Sequence, residues 1–142
     1  MFPAIGAFES VTTFDDGFES DFGWSVSGNA TDGGWTRGVP VPDCDRGNPT
    51  STPDGSTSAY LTDNSNNGGD CNSDVDGGQT ILTSPALDAS NPESIISYSR
   101  WLDNSFGASP GEDPMTIEVS SDDGANWTCL LYTSPSPRDK TV

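Results

Sequence analysis

The sequence has no histidine, a single lysine, and no apolar run near the ~18–20 residues of a membrane span. Each absence closes a class of function. Without imidazole, neither a Ser-His-Asp nor a Cys-His nucleophile can be assembled from this chain, and the usual nitrogen donors for zinc and copper are missing. With 22 acidic residues against 5 basic ones, a net charge of −17, the surface repels nucleic-acid phosphates and anionic lipid alike. Neither nucleic-acid binding nor membrane insertion is expected. The opening Met1-Phe2-Pro3-Ala4 has neither the basic start nor the apolar run of a signal peptide, so any export signal is expected to lie outside this stretch.

Helical periodicity is absent as well. Asp far outnumbers Glu, and Asp, Asn, Gly, Ser, Thr and Pro crowd the connections; these residues weaken helices and build turns. Four Trp, three Tyr and six Phe spread along the chain argue against disorder, and 142 residues suit one domain. Short β-branched or aromatic runs between turn residues predict strands at 11–14, 22–26, 35–38, 59–62, 80–84, 95–103, 115–120 and 126–131. That spacing suggests an antiparallel β-sandwich. Met115, Ile117 and Val119 alternate with Thr116, Glu118 and Ser120, giving one apolar and one polar face. Residues 95–102, apolar on both alternating sets, predict a buried central strand that encloses Tyr98 and Trp101.

The segment CLLYTSPSPRD, beginning at Cys129, resembles the translation of a transposase adapter used in sequencing libraries. Residues 129–142 are therefore expected to be a foreign tail, residues 1–10 an incoming linker and residues 11–128 the β-module, cut short in its last strands. Without Arg138, Lys140 and Asp139, three basic and 21 acidic residues remain, a net charge of −18. The two other cysteines, Cys44 and Cys71, read as a disulfide closing a loop of about 27 residues.

The run from Asp63 through Asp74 and Asp76 to Gly78 places side-chain oxygens at alternate positions among glycines. Calcium takes six to eight oxygen ligands, and such a loop supplies several. Asp63-x-Ser65-x-Asn67-Gly68 matches the front of an EF-hand loop, but Glu is missing at the twelfth position and no helices flank it. The metal reading accordingly rests on a β-sandwich loop with Asp74 and Asp76 as ligands and Asp63, Asp16 and Asp113 as partners from other loops. A solvated Asp/Asn turn cluster is the competing reading. The acidic pairs Asp15/Asp16 and Glu112/Asp113 are conceivable as a glycosidase acid and base, but loop acids in so acidic a chain more often face solvent or metal. Ser120-Ser121-Asp122-Asp123-Gly124-Ala125-Asn126-Trp127 fits the Asp-box pattern S-x-D-x-G-x-x-W, a structural hairpin. Among the aromatics, Trp24, Trp35, Tyr60 and Trp101 could stack on a ligand's sugar ring, with Trp35 and Tyr60 as the chosen candidates and core packing as the alternative for each.

Taken together, FDDGFESDFGW, WTRGVPV, YLTDN, NSDVDGGQTILTSPALDAS, ISYSRW and MTIEVSSDDGANW resemble a jelly-roll module of secreted multidomain bacterial proteins, similar to MAM-type and concanavalin-like domains. The resemblance implies an all-β, two-sheet antiparallel sandwich with a structural calcium ion, located outside the cell or on its surface. It further implies a non-catalytic role in adhesion or targeting, with a carbohydrate or extracellular protein as ligand and other domains of the same parent chain as neighbours. An accessory domain framing a secreted peptidase or glycoside hydrolase, or a structural spacer in a surface protein, are the alternatives it leaves open.

Overall fold

Six short strands form where β-branched and aromatic residues lie between turn residues: β1 (Ser25–Gly28), β2 (Trp35–Gly38), β3 (Ala59–Thr62), β4 (Thr80–Thr83), β5 (Met115–Val119) and β6 (Thr128–Thr133). They belong to a computed structural model in which residues 14–41, 49, 51–64, 74–105 and 109–133 are described. Among these residues there is no helix, hence none long and apolar enough to cross a membrane. Pairing is antiparallel throughout, in three two-stranded sheets: β1 with β4, β2 with β3, and β5 with β6.

The first two sheets are successive stretches of one antiparallel path. Beyond the β1–β4 ladder, Asn29 and Ala30 donate their N–H groups to the Gln79 carbonyl at 2.9 and 3.1 Å, and Thr31 donates to the Asp76 carbonyl at 2.8 Å. An isolated bridge joins Asp32 to Asp76, and Asp63 N–H then donates to the Gly34 carbonyl at 3.1 Å, passing the ladder on to β2–β3. Two glycines permit this close approach. A Cβ on Gly28, at φ 124°, would lie 2.1 Å from the Gln79 carbonyl oxygen, and one on Gly33, at φ 77°, would lie 1.9 Å from that of Asp74.

The third sheet is a hairpin closed by the Asp-box. Val119 pairs with Thr128, so residues 120–127 form the turn. The Asp122 carboxylate receives Ser120 Oγ at 2.8 Å and the Asn126 N–H at 2.8 Å, while Gly124 N–H donates to Ser120 Oγ at 2.8 Å. Asp123 and Gly124 take the positive φ values of 57° and 84° that such a turn demands. The register shifts between Ile117, opposite Leu131, and Glu118, opposite Cys129, leaving Leu130 as the extra residue of a bulge. β6 therefore continues past Thr128, the expected end of the β-module, to Thr133.

Packing is thin. No hydrophobic side chain among the described residues is fully buried, whereas Ser58 and Asp63 are. An aromatic cluster joins Phe18 edge-on to Trp24 and Tyr60, with ring centroids 5.3 and 5.5 Å apart, and Trp24 lies 5.9 Å from Tyr60.

The expected central strand at 95–103 is absent. Ile95 is 90 % exposed, and Tyr98 and Trp101 are more than half exposed. A strand apolar on both faces needs a paired neighbour and a covering layer, and among the described residues no strand pairs with this segment: β4 pairs with β1 and β5 with β6. Phe14 lies outside any strand, and residues 11–13, with which it was expected to form one, lie outside the described residues.

Candidate functional site

The ladder brings three of the five expected metal ligands to one three-residue segment, residues 32–34. Asp76 bridges Asp32, with Asp76 N–H donating to the Asp32 carbonyl at 3.2 Å. Asp74 presses its carbonyl against the Cα of Gly33, where only hydrogen fits, and Asp63 binds the Gly34 carbonyl through its N–H. Asp63 is 6 % exposed and sits at φ 48°, a left-handed conformation that Asp tolerates better than most residues.

Within this crossing, Asp74 Oδ1 is enclosed and has no hydrogen-bond partner. A buried carboxylate oxygen without a partner is costly, so it marks a place where a cation or an ordered water would be stabilising. Hard oxygen donors of this kind suit calcium. Among the described residues, however, no three acidic or cysteine side chains converge closely enough to hold a metal ion by themselves. A calcium ion at Asp74 would thus draw much of its shell from backbone carbonyls and water.

The other two expected ligands are engaged elsewhere. Asp16 Oδ1 accepts the Phe18 N–H at 2.7 Å and Asp16 Oδ2 accepts Trp24 Nε1–H at 2.8 Å, so its carboxylate folds the segment that carries Phe18 and Trp24. Asp113 is exposed in the turn before β5, and its backbone carbonyl accepts from the Asn104 side-chain amide. Cys44 and Cys71, expected to form a disulfide, lie outside the described residues, and Cys129 is a free, exposed thiol.

Both candidate stacking aromatics are half-buried. Trp35 donates Nε1–H to the Thr80 carbonyl at 3.3 Å, and Tyr60 belongs to the cluster with Phe18 and Trp24. More than half exposed are the rings of Phe22, Tyr98, Trp101 and Tyr132.

Two acids not singled out in the sequence organise this region. Asp32 is the residue opposite Asp76; its Oδ1 accepts the Gly33 N–H at 2.9 Å, and only the long-range ladder reveals its place. Glu19 accepts hydrogen bonds from the N–H and hydroxyl groups of both Thr57 and Ser58. These donors, the Thr57 N–H foremost, hold the Glu19 carboxyl below its ordinary pKa of 4.5.

Comparison with protein-family descriptions, curated proteins and solved structures gives no match to this chain.

Proposed function

We propose that this chain is a non-catalytic, calcium-stabilised binding module that works outside the cell, built as an antiparallel jelly-roll sandwich within a larger secreted protein. The observation that carries the reading is Asp74 Oδ1, an enclosed carboxylate oxygen without a partner, at the point where Asp63, Asp74 and Asp76 all attach to residues 32–34. Asp74 is the first ligand of the ion, with Asp32, Asp63 and Asp76 as the neighbouring acids that make its surroundings negative. Bound there, calcium would give the enclosed Asp74 oxygen its missing partner, and it would lock the ladder between the first two sheets.

The ligand is a carbohydrate or an extracellular protein, consistent with a chain that lacks histidine and repels polyanions. Tyr98 and Trp101 offer exposed flat rings of the kind that stack on the C–H face of a sugar. Thermal unfolding of the chain in calcium and in chelator tests the ion site. A midpoint that rises with calcium, and no longer rises in Asp74→Ala, supports it; equal midpoints in both buffers remove calcium from the reading.

A further inference from the structure

Glu19 joins two segments that are 38 residues apart in sequence. Thr57 Oγ1 stands 2.8 Å from each of its carboxylate oxygens, Ser58 N–H donates to Oε1 at 3.2 Å, Ser58 Oγ donates to Oε2 at 3.1 Å, and the Thr57 N–H also donates to Oε1. Four donor groups thus converge on one carboxylate, an arrangement suited to the ionised form, which is acceptor-only. Around this junction the same two segments touch closely: a Cβ on Gly17 would lie 3.0 Å from that of Ser56, and Phe18 and Trp24 pack on Tyr60.

We propose that Glu19 is an acid-operated latch, whose carboxylate holds residues 14–24 against residues 56–60 and whose protonation releases them and uncovers the aromatic face of Phe18, Trp24 and Tyr60. The division of labour among the neighbouring groups supports this. Both bonds of the Asp16 carboxylate stay within residues 16–24, so they shape that segment without attaching it. Arg37 of β2 places Nη1 2.9 Å from the Phe18 carbonyl oxygen, a link that does not depend on Glu19's charge. Glu19 is therefore the attachment that acid can remove.

The titratable and charged groups around the latch are Asp15, Asp16 and Asp21 on its own segment, Asp54 in the turn before Ser56, Arg37 on β2 and Tyr60 on β3. Asp54 has its own donors, the hydroxyl and N–H of Ser56, which keep its carboxyl below the ordinary 3.8. The sign of the Glu19 contribution is fixed by its donors. Because they favour the charged form, docking gains stability above pH 4.5 and loses it as pH falls through the lowered value.

Amide and indole resonances of the full chain, followed by NMR from pH 7 to pH 3, test the latch. The Thr57 and Ser58 amides are expected to titrate together with a midpoint below 4.5, and the Phe18–Tyr60 ring contacts to vanish in the same step, while Val26 and Ile81 keep their positions. Glu19→Gln should show the released pattern at pH 7 and no step. Thr57→Val, which keeps the carboxylate and removes one donor, should move the midpoint up toward 4.5, and it carries the test alone if Glu19→Gln does not fold. Ring contacts that persist at pH 3, a step shared by every resonance, or an unmoved midpoint in Thr57→Val would each overturn the proposal. None of these readouts involves calcium, so the latch and the ion site fail independently.

Discussion

Trp35 fastens the second sheet to the first through a single residue, Thr80: its backbone N–H donates to Thr80 Oγ1 and its indole Nε1–H to the Thr80 carbonyl, both at 3.3 Å. Phenylalanine at this position keeps an aromatic ring and removes the indole donor. Trp35→Phe is expected to cost about 0.5–1.5 kcal/mol, the usual net worth of one hydrogen bond, read as a lower urea midpoint with unchanged slope. Trp35→Ala should lose more, because it removes the half-buried ring as well as the indole donor.

Gly33 is a second sensitive point. Alanine there would meet the Asp74 carbonyl oxygen at 1.9 Å and would have to hold φ near 77°. Gly33→Ala is expected to cost at least ~1–3 kcal/mol and to lower the thermal midpoint. Gly34→Ala is its control, since a Cβ at Gly34 finds open space.

The Asp-box hairpin should weaken in acid. The side-chain amide of Asn126, then its N–H and the Ser120 hydroxyl, hold the Asp122 carboxyl below its ordinary 3.8. Turn stability is therefore present above pH 3.8 and lost as pH falls through the lowered value. Amide exchange at Gly124 and Asn126 should accelerate in that range, and Asp122→Ala should show fast exchange already at pH 7.

Ile95 and Trp101 are 90 % and 60 % exposed, so neither contributes much to folding. Ile95→Ser and Trp101→Ser are expected to change stability by no more than ~0.5 kcal/mol while reducing binding of an apolar dye. A large loss of stability in either variant would mean that these side chains are covered in solution.

How far the sequence led depended on the range of the interactions involved. The bounds of β2 and β3 were legible because Trp35, Tyr60 and Leu61 sit between strong turn signals, and Met115, Ile117 and Val119 announced β5 by alternation. Residues 95–103 have equally good local credentials, but a strand is completed by its neighbours, and no described strand pairs with them. The same contrast holds at the site. Asp63, Asp74 and Asp76 stood out as an oxygen-rich run, whereas Asp32 and Glu19 acquire their roles from partners about 40 residues away, which no local pattern encodes.

The scarcity of enclosed hydrocarbon has a calorimetric consequence. Because no hydrophobic side chain among the described residues is fully withdrawn from water, unfolding these sheets should uncover less new apolar surface than unfolding a domain with a closed core. The heat-capacity increment should then fall below the ~12–15 cal/mol/K per residue of ordinary domains, giving a shallow, nearly straight dependence of stability on temperature. A chain held this way should resist cold better than heat-tuned cores do, and its melting should be broad.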